Sequence, residues 1–144
     1  MAEVAIEFDG GAQGNPGPAG SGWLVREAGV VVAVGTIFVG AHDTNNVAEY
    51  HGCISGLEAA AARGAAHVTL RGDSMLVLNQ VSGKWNVNAA HLEPLRDRAR
   101  AVIAKFPMGA DFEHLPAHLN FMADALSNVA MDGRKTETGI HLIA

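Results

Sequence analysis

The sequence has few or none of the features that mark membrane or secreted proteins. Cys53 is the single cysteine, so an internal disulfide is excluded and a reducing compartment is expected. Apolar runs such as GVVVAVGTIFVG are interrupted by glycine well below the roughly 18 residues that a membrane helix needs. The N-terminus shows no basic region followed by an apolar segment. We therefore expect a cytoplasmic protein without a membrane partner, and we expect it to be a monomer.

Charged residues are also scarce, at 17% of the 144 residues, and the formal net charge is -5. This acidic balance argues against nucleic acid as a partner, because most proteins that bind it are basic. Half of the ten basic residues nevertheless lie close together, which leaves room for a local basic face: Lys84, Arg96, Arg98, Arg100 and Lys105. The 49% hydrophobic content predicts one compact domain with a substantial core.

The periodicity of the apolar residues predicts an α/β fold. Alternating patterns favour five strands, at about 3–9, 21–28, 30–40, 67–73 and 111–115. Helical patterns follow at 46–64, from about Ser74, over 91–106 and over about 120–131. The short turn at Glu27-Ala28-Gly29 predicts an antiparallel meander of three strands. The strand–helix–strand order that follows predicts parallel pairing, so the five-stranded sheet is mixed, with flanking helices.

Four acidic residues lie where a strand or turn meets the start of a helix: Asp9, Glu49, Asp73 and Asp124. Each has an ordinary structural explanation. Asp9 could open a turn with Gly10, and Glu49 could complete a capping box with Asn46 as the N-cap. Asp73 could cap the next helix, and Asp124 suits the positive end of a helix dipole. None of the four is diagnostic by itself.

Together, the four carboxylates favour a metal site. Strand ends and neighbouring helix starts of an α/β sheet can converge on one crevice. Carboxylates gathered there repel one another unless cations neutralise them. Mg²⁺ binds a few carboxylates together with substrate phosphate oxygens, so the pattern indicates phosphoryl-transfer chemistry. In this interpretation Asp9 ends a strand, and the glycines after it let backbone approach a substrate.

Four segments in order, DGGAQGNPGPAG, TNNVAEY, RGDSMLVLNQVSGKW and NFMADALSNVAMD, resemble the successive motifs of type 1 ribonuclease H in its compact bacterial and archaeal form. The resemblance implies a ribonuclease H-like fold and a catalytic domain over residues 1–132, followed by a tail at 133–144. It implies hydrolysis of the RNA strand of RNA–DNA hybrids, leaving a 5′-phosphate and a 3′-hydroxyl. The cofactor implied is a pair of Mg²⁺ ions, with Mn²⁺ able to substitute, held by Asp9, Glu49, Asp73 and Asp124.

The resemblance also implies further site residues. Asn15, Asn45, Asn46 and Gln80 match positions that contact the hybrid. Thr44 resembles a hydroxyl that holds a DNA-strand phosphate, with Asn88 as its partner, and Trp85 is expected against a DNA sugar. His118 lies in the loop where many members carry a histidine that helps product leave, whereas His114 is expected to be packed. The basic, helix-bearing insertion of some members is absent, so modest substrate affinity is expected.

Two alternatives stay open. A non-catalytic nucleic-acid-binding module of the same fold would gain nothing from four carboxylates facing phosphates. A nuclease of the resolvase or integrase type would share the fold and the metals, but the Asn positions favour hybrid cleavage.

Overall fold

The computed structural model describes residues 3–141, with side chains through residue 137, and shows a mixed sheet in the strand order β5-β4-β1-β2-β3-β6. The strands are β1 (Val4–Ala12), β2 (Gly17–Glu27), β3 (Val30–Asp43), β4 (Val68–Gly72), β5 (Ala110–His114) and β6 (Glu137–His141). The helices are α1 (Asn45–Ala62), α2 (Met75–Ser82), α3 (Glu93–Ile103) and α4 (Phe121–Gly133). Short 3₁₀ turns precede α3 and α4, at Ala90–Leu92 and Ala117–Leu119.

The antiparallel meander β1-β2-β3 and the parallel pairs β1-β4 and β4-β5 confirm the predicted sheet. The predicted end of the first strand is wrong, because β1 continues in register to Ala12, which pairs with Ala19. Backbone groups pair whether or not the residue carries a side chain, so the glycine-rich segment joins the ladder without showing any alternating pattern. Asp9 therefore lies inside a strand.

Helix α1 begins at a different cap from the predicted one. The N-cap is Thr44, whose Oγ1 accepts a hydrogen bond from the Val47 amide, and Asn46 already lies inside the helix. The predicted glycine signal at the other end is confirmed. Gly64 has φ +79°, and Ala65 donates back to the Ala60 carbonyl, as in a Schellman motif. No helix within residues 3–141 is both long and apolar enough to cross a membrane.

Helices cover both faces of the sheet. On one face, α1 packs on β1 and β2 over a core that includes Ile6, Phe8 and Trp23, and α3 packs against α1. On the opposite face, α4 lies directly on the backbone of β2 at Gly20 and Gly22. The sheet is thus enclosed where β1 and β2 run side by side.

The C-terminal tail contributes a strand that was not predicted. Residues 137–141 form β6 and pair antiparallel with β3, with Glu137 opposite Thr36. The Thr36 hydroxyl accepts a hydrogen bond from the Glu137 amide, and the Thr136 hydroxyl accepts one from the Phe38 amide. The five predicted strands are therefore extended by a sixth at the β3 edge. Residues 142–144 of the tail lie outside the described residues.

Replacing Gly22 by alanine should destabilise the protein. A methyl group there would lie 2.4 Å from the Leu126 Cβ and 2.5 Å from the Ala123 carbonyl oxygen, so α4 would have to move away from β2. We expect the free energy of unfolding in urea to fall by about 3 kcal/mol, as for other overpacked sites. Gly133→Ala is the matched control, because no atom lies within 4 Å of the added methyl. Equal stability of the two variants would contradict this account of the helix–sheet contact.

Candidate active site

Asp9 lies in the middle of β1, opposite Gly22 of β2, and its side chain is buried at 7% exposure. Its Oδ1 accepts a hydrogen bond from the Gly10 amide at 2.9 Å. Since Asp9 is in a strand, the turn-opening explanation does not hold. The strand fixes the direction of the carboxylate, as a loop would not.

Glu49 reaches Asp9 because α1 approaches β1 very closely. A Cβ on Gly10 would lie 2.4 Å from the backbone of Ala48 and of Glu49, and one on Gly52 would lie 2.9 Å from the Asp9 carbonyl oxygen. The Ser21 hydroxyl also donates to the Ala48 carbonyl across this contact. Glycine at Gly10 therefore lets the helix approach the strand, rather than a substrate as the sequence suggested.

Asp73 and Asp124 enter the site from β4 and α4. Asp73 directly follows β4, and the neighbouring Ser74 is the N-cap of α2, since its Oγ accepts from the Val77 amide. Asp73 is therefore not needed as a cap. Asp124 lies in the first turn of α4 and is exposed, and its carboxyl is near enough to that of Asp9 to raise the Asp9 pKa.

The four carboxylates thus form one cluster. Asp9, Glu49 and Asp73 each offer an oxygen within 4.8 Å of the others, and Asp124 joins through Asp9. Burial, the Asp73 charge and the nearby Asp124 carboxyl raise the pKa of Asp9 to about 7. Burial and the charges of Asp9 and Asp73 raise the pKa of Glu49 well above its ordinary value. The metal-free cluster is therefore under electrostatic strain, and it could hold a divalent cation.

Two amides predicted to contact substrate join the β1–β2 hairpin to the start of α1. The Asn15 Oδ1 accepts from the Asn45 amide at 2.9 Å, and the Asn45 Oδ1 accepts from the Ala12 amide at 2.9 Å. Both side chains are exposed. Thr44 caps α1 beside them. These residues lie at the same end of α1 as Glu49.

Four other predicted contact residues line a single groove of about 570 Å³: Asn46, Gln80, Trp85 and Asn88. Trp85 is 49% exposed, so it is not a core residue. Gln80 is only 5% exposed, and its Oε1 accepts a 2.6 Å hydrogen bond from the buried Tyr50 hydroxyl. The groove thus contains the exposed indole ring of Trp85 and the amide of Gln80, which the hydrogen bond from Tyr50 orients.

The histidine and arginine predictions need partial correction. His118 is exposed in the 3₁₀ turn before α4, but His114, expected to be packed, is also exposed at the end of β5.

Two arginines of the predicted basic face make contacts within the protein. Arg100 donates to the Gln80 and Val81 carbonyls at the end of α2, and Arg96 pairs with Asp97. A helix C-terminus attracts such a cation.

Asn120 was missed by the sequence reasoning. It is fully buried, and its Nδ2 donates to the Phe8 carbonyl at 2.8 Å, next to Asp9. The only available signal was an asparagine just before a helix, which predicts an ordinary cap. The side chain instead makes no capping hydrogen bond.

Residues 7–130 match the profile of a family described as reverse transcriptase-like. Ribonuclease HI of Halobacterium salinarum is 46% identical over 130 residues, which cover 90% of this chain and 64% of that protein. The bifunctional protein Rv2228c of Mycobacterium tuberculosis is 43% identical over 132 residues, which cover 90% of this chain and 36% of that protein. This chain therefore spans less than two thirds of either relative.

Several proteins with solved structures share the fold of this chain. The N-terminal RNase H domain of Rv2228c, determined as a fusion with maltose-binding protein, superimposes with a TM-score of 0.87 at 42% identity, covering 92% of this chain and 96% of that one. The chain belongs to the type 1 ribonuclease H family. LC11-RNase H1 in complex with an RNA/DNA hybrid gives a TM-score of 0.84 at 32% identity, covering 92% and 99% of the two chains. The expected ribonuclease H-like sheet, β3-β2-β1-β4-β5, is confirmed.

The stability of the metal-free protein should fall as the pH rises from about 4 to about 7. The folded state retains a proton on Asp9 up to a pKa of about 7, whereas the unfolded chain releases it near 3.8. The stabilisation is complete below the lower value and is lost as the pH rises through the higher one. Asp9 and Glu49 act in the same direction, and each lowers the stability by up to ~1.4 kcal/mol per pH unit across the range of its pKa shift.

Urea unfolding in EDTA at several pH values measures the effect. The Asp9→Asn variant should show a flatter profile, because it lacks the shifted group. A wild-type stability that is constant or increasing over this range would contradict the assignment.

Proposed function

We propose that this chain is an endonuclease that hydrolyses the RNA strand of RNA–DNA hybrids. Water adds to the phosphorus and the bond from phosphorus to O3′ breaks, leaving a 5′-phosphate and a 3′-hydroxyl. The observation that carries this proposal is the convergence of four carboxylates, one from β1 and one from each of the three elements packed around it, α1, β4 and α4: Asp9, Glu49, Asp73 and Asp124. A relative solved with an RNA/DNA hybrid supports the substrate.

The residues present fit a divalent metal. Among the described residues, the Glu49 Oε1 and the Asp73 Oδ1 are buried with no hydrogen-bond partner, an arrangement that costs free energy unless a cation binds them. An all-oxygen donor set suits Mg²⁺, with Mn²⁺ as a substitute. We assign two such ions to Asp9, Glu49, Asp73 and Asp124. When bound, they supply positive charge against the phosphate oxygens on which negative charge develops.

The protein groups around the cluster would orient the hybrid. The Asn15, Asn45 and Gln80 side chains each have their oxygen engaged by the protein, so their NH₂ groups remain to meet the substrate. Every base pair presents acceptors in the minor groove, and a 2′-hydroxyl also accepts. We propose that these amides read the hybrid as donors, with Asn46 beside them.

The remaining predicted residues are assigned roles from their positions, in or near the groove and in the turn before α4. Trp85, Thr44 and Asn88 are assigned to the DNA strand, because the exposed ring of Trp85 can pack on a deoxyribose. His118 is assigned to product release, since it is exposed on the turn that leads to α4 and Asp124.

We propose residues 1–132 as the catalytic domain, with the tail at 133–144 adding β6. One chain contributes all four carboxylates, so a monomer suffices for activity. The buried, unpaired Cys53 supports residence in the reducing cytoplasm.

Cleavage of a labelled hybrid should require a divalent cation and Asp73. Asp73→Asn keeps the shape but removes the charge, so we expect the rate to fall about 10³-fold or more, as for the loss of a major electrostatic contribution. Asp111→Asn is the control, because this carboxylate is 79% exposed on β5 and outside the cluster. Near-normal hydrolysis by Asp73→Asn in Mg²⁺ would show that the metal assignment is wrong.

The same assay with four substrates at equal concentration separates the alternatives. Hybrid should be cut efficiently, duplex DNA not at all, and duplex RNA or DNA with one embedded ribonucleotide poorly. Efficient cutting of duplex DNA would favour a resolvase or integrase activity. Binding without cutting of any substrate would favour a non-catalytic module.

Asn45→Asp should weaken hybrid binding without destabilising the fold. The new carboxylate oxygen can still accept from the Ala12 amide, but it cannot donate to the hybrid. We expect about a tenfold loss of affinity by fluorescence anisotropy without divalent cations, the size of one lost hydrogen bond. Asn86→Asp adds the same charge on the exposed rim of the groove and controls for repulsion by phosphates. Equal losses in both variants would mean that charge, not the lost donor, explains the effect.

A further inference from the structure

Asn120 joins two segments that each carry a cluster carboxylate. Its side chain is 0% exposed, and the Nδ2 donates to the carbonyl of Phe8, the residue before Asp9. The backbone carbonyl of Asn120 accepts a hydrogen bond from the backbone amide of Asp124 at 3.1 Å, within the first turn of α4. The Asn120 side chain and the first turn of α4 therefore connect the strand that carries Asp9 to Asp124.

The other contacts between α4 and the sheet are mainly packing contacts and weaker or exposed hydrogen bonds. At Gly20 and Gly22 the sheet lies against both backbone and side-chain atoms of α4, including those of Leu126, Ala130 and Met131. Two further side-chain hydrogen bonds join α4 to the sheet region within the described residues. Gln13 reaches Asp132 on the surface at the far end of the helix, and Arg26 reaches the Met122 sulfur, a weak acceptor. A buried, directional hydrogen bond at the Asp124 end is made by Asn120.

The buried polar side chain of Asn120 also lowers the stability of the fold at this position. Its Oδ1 is buried without a partner among the described residues, a cost that an apolar residue of similar volume would avoid. Such a local cost is characteristic of functional positions. Packing alone does not account for an asparagine here.

We propose that Asn120 is a positioning residue that sets Asp124 against Asp9 for metal binding. The proposal rests on the metal site of the proposed function and assigns it a residue outside the four carboxylates. Removal of a group that orients metal ligands typically lowers metal affinity or activity 10- to 100-fold. The loss should appear in the metal affinity and in kcat, with KM for the hybrid little changed, because Asn120 is too buried to touch substrate.

The experiment compares Asn120→Ala and Asn120→Leu with Ser127→Ala. Ser127 is a matched control: it is 1% exposed on the same helix, and its hydroxyl donates to the Asp124 carbonyl, but that hydrogen bond stays within α4. Asn120→Leu keeps the branching and the number of side-chain heavy atoms without leaving a cavity, so a result remains available where Asn120→Ala does not fold. Mn²⁺ affinity is measured by calorimetry on the free protein, and kcat and KM are measured with the hybrid.

We expect both Asn120 variants to bind Mn²⁺ at least about tenfold more weakly than wild type, and Ser127→Ala to bind it normally despite lower stability. Wild-type Mn²⁺ affinity in Asn120→Leu, or an equal loss in Ser127→Ala, would overturn the proposal. The two proposals fail separately. A wild type that binds Mn²⁺ in an Asn120-dependent way but leaves hybrid uncut would refute the nuclease activity alone.

Discussion

The close contact of α1 with β1 is the constraint on which the site depends. At Gly10 the helix backbone lies where a side chain would otherwise project, and at Gly52 the helix lies against the Asp9 carbonyl. Only this separation lets a carboxylate on a helix reach one on a strand beneath it. On the other face, Gly20 and Gly22 admit α4 in the same way. The glycine contacts on the two faces of the sheet therefore bring carboxylates from α1 and α4 into one crevice with the carboxylate of β1.

That geometry has an electrostatic consequence. Carboxylates that are buried together raise one another's pKa, so Asp9 and Glu49 hold protons that ordinary carboxyls would release. The buried oxygens of Glu49 and Asp73 add unsatisfied acceptors. Both features oppose folding of the metal-free protein near neutral pH, and both favour a bound cation. The stability of the fold is thus coupled to the occupancy of its site.

In the proposed function, the amide side chains that contact the substrate also hold parts of the fold together. Each amide oxygen of Asn15, Asn45 and Gln80 is held by a protein donor, which orients the free NH₂ groups. The same hydrogen bonds fasten the β1–β2 hairpin to α1 and α1 to α2. Residues that face the hybrid in the proposed function are therefore also structural, and variants that retain the oxygen are the informative ones.

The sequence determined the order of strands and helices, the family motifs and the four candidate carboxylates. Alternating and helical patterns report the buried side chains of regular elements, so the meander and the crossover could be read directly. The β1 extension through Ala12 could not, because Gly10 and Gly11 pair through backbone alone. Thr44 and Asn46 are both good caps, and the structure shows that the N-cap is Thr44.

The tertiary structure alone decided how the carboxylates meet and what holds them. Asn120 looks like any asparagine before a helix, and its bond to Phe8 joins residues that are far apart in the chain. Strand β6 exists because the β3 edge offers it backbone partners, which a short tail does not reveal by itself. Local patterns encode the type of each element, whereas contacts between distant segments depend on the shape of the whole sheet and its helices.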